Sequence, residues 1–379
     1  MSQALVSLGA TVMLSSESIA VNSENCALFS TNPIPVRFLE SATALRFWLA
    51  RTLITKGKTK ALISEQLKNR PLQVFLDSLS FMGCTITSTL TQETLYPYCI
   101  EITPPPEISQ ITQADSNVSS QFISGLMMIA PLLKDGMDLR FSQLPVSYEY
   151  LQLTKDVMSS YSINCCLEED KILIAGDCHY VSKSHYQIEP ELSGGAVLLA
   201  LGAFSEQGIG IIGKPGAKWH PDWEIISILM DMGCHLLSNG EIVASSSESL
   251  HGISKDMETY PDLVPLTAVL ALFADSPTNL INISRLKYKE SNRIKGLTKA
   301  FDQLDVMYAL NDSNLTICPL TKPPSPAILD TQNDHRLAMA FTILCLHYPQ
   351  LSISETESVK KSCPEFFTLL ARLKNLIIA

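Results

Sequence analysis

The chain has 379 residues, 46% of them hydrophobic and 17% charged, with a formal net charge of −10. That length suggests two or three domains, and that composition supports a large core and excludes global disorder. No basic stripe interrupts the acidic balance, so nucleic acid is not an expected partner, and the few cations that cluster point to small anionic ligands.

Residues 4–14 are apolar but carry no Lys or Arg ahead of them, so a signal peptide is not expected. No apolar run is long and charge-free enough to argue for a membrane span. The ten cysteines show no CxxC pair and no Cys/His ligand spacing. They predict reduced, mostly buried thiols in a cytoplasmic setting, with no structural metal.

Along the chain a helix-like run ends in a turn and gives way to a strand-like run. The turn positions are Gly9, Gly83, Tyr161, Gly233 and Asp305, spaced by 74, 78, 72 and 72 residues. Residues 366–373 form a sixth such run. A second marker keeps the same rhythm: a small or acidic polar residue opens a long apolar helix. It falls at Ser41, Ser119, Ser193, Asp262 and Asp334, spaced by 78, 74, 69 and 72 residues. Two markers agreeing on one period indicate an internal repeat of about 70 residues. Six turn-ending helices face only five polar-opened ones, so the first repeat reads as incomplete, its missing helix expected upstream of Met1.

Short β-like runs at 171–175, 210–213 and 279–283 lie between the helices. Each repeat therefore reads as strands plus two helices, an α/β unit. The polar-opened helices are apolar nearly all round, which predicts burial, with strands outside them. Pro104-Pro105-Pro106 and Pro323-Pro324-Ser325-Pro326 mark loops within repeats. The expected division is into a first lobe, 1–188, and a second, 189–379.

Three stretches carry chemistry. Lys287-Tyr288-Lys289-Glu290-Ser291-Asn292-Arg293 packs three cations and a carboxylate into seven residues just after an apolar strand. Its bland reading is a solvated charge run. Its spacing predicts Lys289 and Arg293 on one helix face with Glu290 beside them. Asp262, at the start of an apolar helix, is either an N-cap or a carboxylate aimed into a cleft. Together with Glu290 it would supply an acid/base pair. Asn333-Asp334-His335-Arg336 opens the apolar run 337–346. Asn333 or Asp334 is a natural N-cap, and the helix N-terminus with His335 and Arg336 suits a carboxylate or phosphate.

These stretches, taken with Ala42-Thr43-Ala44-Leu45-Arg46, Asn69-Arg70-Pro71, Ser119-Ser120-Gln121-Phe122, Ser147 with Tyr150, Pro261-Asp262, and Lys361 before Pro364, resemble the motifs of the 5-enolpyruvylshikimate-3-phosphate (EPSP) synthases, in that family's order over nearly the whole chain. The resemblance implies a two-domain inverted, inside-out α/β barrel. It also implies transfer of the enolpyruvyl group of phosphoenolpyruvate to shikimate 3-phosphate, with no cofactor, by a monomer. Ser119, Ser120, Gln121, Ser147, Tyr150, Asp262 and Lys289 would hold shikimate 3-phosphate. Ala42, Thr43, Arg70, Gln121, Arg293, Arg336 and Lys361 would hold phosphoenolpyruvate. Asp262, Glu290 and Lys289 would be catalytic, and the set would face one interdomain cleft.

The sequence departs from the family pattern at several points. The family's first-repeat Lys-Ser…Asn-Arg segment has no counterpart. Ala42 stands for a usual Gly, Glu191 and Asn292 stand for usual Asp residues, and Ser193-Gly194-Gly195-Ala196 replaces a serine-richer run. The rival readings are a uridine-diphospho-sugar enolpyruvyl transferase and a non-catalytic relative that binds an anion or a partner chain.

Overall fold

The computed structural model describes residues 1–27, 35–108, 111–113, 120–145, 147–205, 207–212, 220–238, 241–245 and 249–377. The chain divides into two compact units, Met1–His185 and Tyr186–Ala379.

The repeat is visible in the strand order. In the first unit, strands Pro35–Phe38, Thr59–Ile63, Thr85–Leu90 and Tyr98–Thr103 form a sheet in the order first, second, fourth, third. The order recurs in Ile111–Gln113, Met137–Arg140, Cys165–Leu167 and Lys171–Ile174. It recurs again in the second unit, in Ser254–Asp256, Thr278–Ile281, Tyr308–Leu310 and Leu315–Ile317. In all three sheets the first pair is parallel and the other pairings are antiparallel. Parallel neighbours require a crossover, and a helix supplies it each time. Partial versions complete the series: a hairpin of Thr11–Leu14 with Ile19–Asn22, an antiparallel sheet in the order Ile209–Ile212, Glu241–Ser245, His235–Ser238, and a parallel pair of Ala327–Leu329 with Leu351–Ile353.

The turn-ending helices are Ser2–Ser7, Gln73–Phe81, Tyr148–Ser160, Ile225–Asp231, Arg293–Gln303 and Phe366–Ile377. Left-handed residues follow the first five: Gly9, Gly83 and Gly233 with φ of 93–94°, Ser162 with φ 67° and Asp305 with φ 55°. Glycine enters this region without the Cβ penalty, which is why it marks three of the five turns. In the third repeat the left-handed residue is Ser162, one past the expected Tyr161.

The polar-opened helices are Ala42–Ala50, Ser120–Ile129, Leu192–Gly202, Val264–Leu270 and His335–His347. Ser41 caps the first by accepting the Ala44 N–H at 3.2 Å. Ser193 was expected to open the third, but its cap is Glu191, whose longer carboxylate spans the Ser193 and Gly194 N–H groups at 2.6 and 2.8 Å. All seven residues of Val264–Leu270 are buried, as are nine of the eleven of Leu192–Gly202. These two helices and His335–His347 pack on one another within the second unit's core, which runs from Leu192 to Leu370. The first unit has its own core, where Ala42–Ala50 packs on Ser120–Ile129 and Phe75 stacks on Phe122 at 4.8 Å.

All ten cysteines are free thiols, but only Cys84, Cys165 and Cys234 are buried. The expectation of mostly buried thiols is corrected: Cys166 is exposed, and the other six are half-buried. Among the described residues no helix is long and apolar enough to cross a membrane, and no group of three His, Cys, Asp or Glu is disposed to hold a metal ion.

Close packing in the second unit sets a first prediction. A Cβ at Gly296 would lie 2.5 Å from Leu337 Cδ1, a side chain with no exposed surface to yield into. Gly296→Ala is expected to destabilise the protein by about 1–3 kcal/mol despite its gain in helix propensity. Urea unfolding checks this; an unchanged or higher midpoint would contradict it.

Candidate functional site

In the second unit the chain leaves strand Thr278–Ile281, turns through Ser284–Tyr288 and becomes extended at Lys289. Asn292 then caps the next helix by accepting the Lys295 N–H at 3.1 Å, so the helix begins at Arg293. Lys289 and Arg293 therefore do not share a helix face, contrary to the spacing argument. The cap separates them.

They nonetheless meet, at Asp262. Arg293 is 1% exposed, and each of its three guanidinium nitrogens donates to a carboxylate. Nε donates to Asp334 Oδ2 at 2.9 Å, Nη1 to Asp262 Oδ1 at 2.5 Å, and Nη2 to Glu290 Oε2 at 2.6 Å. A planar cation with five donors can join three carboxylates from three segments in this way; a lysine cannot. Asp334 has no exposed surface, and each of its oxygens is used. Oδ2 also accepts from Ser291 Oγ at 3.0 Å, and Oδ1 caps the His335–His347 helix through the Arg336 N–H at 2.9 Å. One buried carboxylate thus ties Arg293 to the helix that carries Arg336.

Asp262 does not cap a helix. It lies in the turn Pro261–Leu263 and collects cations: besides Arg293, Lys289 Nζ at 3.3 Å and Arg336 Nη2 at 3.6 Å. Arg336 Nη2 also donates to Ser193 Oγ at 2.9 Å and to the buried Asp222 at 3.3 Å. Among the described residues, Lys289, Arg293 and Arg336 are thus joined to Asp262, Glu290, Asp334 and Asp222.

The electrostatics follow. Burial alone would raise the Asp262 carboxyl, but Lys289, Arg336 and Arg293 outweigh it and hold it well below the usual range. Burial would likewise raise Asp334, and Arg293 reverses that. Arg293 is raised, burial being overcome by Asp334, Glu290 and Asp262. Lys289 goes the other way: burial lowers it, more than the carboxylates Asp262 and Glu290 restore. Burial and the neighbouring Arg336 also lower His335, whose Nδ1 is buried without a hydrogen-bond partner among the described residues. Both effects favour the neutral imidazole.

Lys361 is exposed at the end of the turn Thr356–Lys361, its Nζ 3.5 Å from the Asn333 carbonyl. That contact places it beside the loop that leads into Asp334 and Arg336.

In the first unit, Gln121 Oε1 accepts from Arg46 Nη1, and the Arg46 guanidinium lies 4.5 Å from the Phe122 ring centroid. Ala42 and Thr43 open the Arg46 helix and are half-buried. Ser120 is buried at the start of Ser120–Ile129. Ser147 is buried and left-handed, φ 54°, at the N-cap position of the helix that carries the half-buried Tyr150. Arg70 is half-buried in the bend after Glu65–Lys68. Ser119 lies outside the described residues.

Sequence reasoning missed four participants. Arg46 and Ser193 sat inside quoted motifs without a role. Asp334 was seen as a cap but not as the partner of Arg293. Asp222 had no signal, because its partner Arg336 is 114 residues away.

Residues 1–370 match the family model described as EPSP synthase (3-phosphoshikimate 1-carboxyvinyltransferase). The chain belongs to the EPSP synthase family. Among curated relatives named 3-phosphoshikimate 1-carboxyvinyltransferase, it is 28% identical to that of Methanosphaerula palustris over 340 residues, 87% of this chain and 77% of that one. It is also 28% identical to that of Methanospirillum hungatei over 384 residues, 98% and 86% of the two chains. Its mixed α/β fold matches the solved EPSP synthase of Acinetobacter baumannii with a TM-score of 0.73 at 20% identity, covering 97% of this chain and 85% of that one.

Proposed function

We propose that this chain is a 3-phosphoshikimate 1-carboxyvinyltransferase, acting in the cytoplasm as a monomer on the route to chorismate. The observation that carries the reading is the meeting of Lys289, Arg293 and Arg336 at Asp262, with Glu290 on the same guanidinium as Asp262. The reaction handles two phosphates and a carboxylate, so several cations must act together.

Arg70, Arg293, Arg336, Lys361 and Gln121, with the Ala42-Thr43 helix start, hold phosphoenolpyruvate. Ser119, Ser120, Gln121, Ser147, Tyr150 and Lys289 hold shikimate 3-phosphate. Asp262 accepts the proton of the attacking hydroxyl as its oxygen bonds to the enol carbon, while Glu290 protonates the methylene. Loss of phosphate and return of the methyl proton then give the enolpyruvyl ether. Each arriving anion adds negative charge beside the cluster's acids and so raises their proton affinity. Glu290 is the most exposed of the three carboxylates around Arg293, so taking up that proton costs it the least rearrangement of buried charge. The family's inverted α/β barrel is proposed for each unit, supported by the burial of Val264–Leu270 and Leu192–Gly202.

The test is phosphate release from phosphoenolpyruvate with shikimate 3-phosphate, and separately with a uridine-diphospho-sugar. Turnover is expected with the first acceptor only. Glu290→Gln should lower kcat about 10²–10⁴-fold with substrate binding retained by calorimetry. Binding without turnover in the unaltered chain, or turnover with the sugar nucleotide alone, would sink the reading.

A further inference from the structure

The loop that leads into Arg336 is held in an unfavourable conformation. Gln332 and Asn333 are consecutive non-glycine residues with φ of 50° and 53°, and Glu355, on the neighbouring loop, has φ 49°. Left-handed side-chain-bearing residues are uncommon and need external support, and they gather where geometry matters for function.

The support here comes from one loop to the other. Glu355 Oε2 accepts the Asn333 N–H at 2.6 Å. Thr331 N–H donates to Ser354 Oγ at 3.2 Å, and Thr331 Oγ1 donates to the Ser354 carbonyl at 3.0 Å. Asp330 Oδ1 accepts the Gln332 N–H at 2.9 Å. The first loop runs into Asp334, the cap of the His335–His347 helix, and so into Arg336. The second runs into Thr356–Lys361 and so to Lys361, whose ammonium returns to the Asn333 carbonyl.

We propose that Glu355 is a positioning residue that fixes Arg336 and Lys361 relative to one another. Its carboxylate holds Asn333 left-handed, which sets where the Arg336 helix begins. Its own left-handed backbone starts the turn that ends at Lys361. Glu355 touches no reacting atom; it acts through the two cations. This inference rests on the reading of Arg336 and Lys361 as holding phosphoenolpyruvate.

The experiment uses the full chain with Glu355→Gln, Glu355→Ala, Asn333→Gly and the double variant Glu355→Ala/Asn333→Gly. The glutamine keeps an acceptor oxygen and is expected to behave as the parent. The alanine is expected to raise KM for phosphoenolpyruvate about ten- to hundredfold, as small misplacements of binding groups do, with KM for shikimate 3-phosphate unchanged. Glycine adopts the left-handed conformation without a Cβ penalty, so Asn333→Gly should recover part of that loss in the double variant. An unchanged KM for phosphoenolpyruvate in Glu355→Ala, an equal rise in both KM values, or no recovery by glycine would overturn the proposal. Residue-resolved deuterium uptake of the 333–336 amides provides a readout independent of turnover. It should quicken in Glu355→Ala and not in Glu355→Gln. If the parent chain shows no turnover, the functional reading fails, while unchanged uptake in Glu355→Ala fails the positioning role on its own.

Discussion

Arg293→Met is expected to lose about 3–5 kcal/mol of stability near neutral pH and to recover part of it in acid. Methionine fills much of the space of the arginine stem, so the cost is mainly electrostatic. The cation that joins Asp262, Glu290 and Asp334 disappears, and Asp334 stays without exposed surface. In the parent, Asp262 and Asp334 are held below the ordinary aspartate value of 3.8. Their contribution to stability is therefore present above that value and is lost as pH falls through the depressed folded values. In the variant the burial of Asp334 goes uncompensated, and its folded pKa moves above the unfolded one. The sign then reverses: the contribution is retained below the unfolded value and lost as pH rises through the raised one. Urea midpoints at about pH 7 and about pH 5 measure this. The parent should hold or lose stability on acidification, and the variant should gain. Parallel profiles would show that the guanidinium does not govern these carboxylates. Arg293→Lys, which keeps the charge but not the fork, should fall between the two.

Asp262→Asn is expected to cut kcat about 10²–10⁴-fold, the usual worth of a positioned general base. A second signature separates this from simple damage. Lys289 is already lowered by burial, and Asp262 is first among the charges that hold it up. Removing that charge lowers Lys289 further, so the alkaline limb of the kcat/KM profile should shift to lower pH. Phosphate release across pH reads both. Near-parental kcat would dismiss Asp262 as the base, and a fall in kcat with an unmoved alkaline limb would show that Lys289 is not the group titrating there.

The repeat was readable because its punctuation is local. Gly9, Gly83 and Gly233 end helices for a reason contained in one residue, and Ser41 and Asp334 cap within three. The Lys289–Arg293 face was misjudged because helical spacing was applied across a helix start; the polar Asn292 is itself the cap, a signal present in the sequence but outweighed by the charge pattern. The partners of Arg293 and Arg336 were hidden for a different reason. Asp262, Asp334 and Asp222 approach them from segments 31 to 114 residues away, and neither periodicity nor spacing carries information over that distance. Asp262 and Arg336 are nonetheless legible, because each stands where a polar residue opens an apolar helix, and both fall in motifs that resemble the family's.

The recurring sheet order has a consequence for how the chain folds. Register partners across the parallel pairs are Pro35 with Lys60, Ile111 with Asp138, Ser254 with Asn279 and Ala327 with Leu351, so every crossover encloses roughly the same length of chain. Loop-closure entropy rises only logarithmically with length, and here the lengths barely differ. Chain topology therefore gives no repeat a head start as a nucleus. The choice passes to desolvation, which favours the crossovers whose helices bury the most apolar surface, and Val264–Leu270, buried at every residue, belongs to that group.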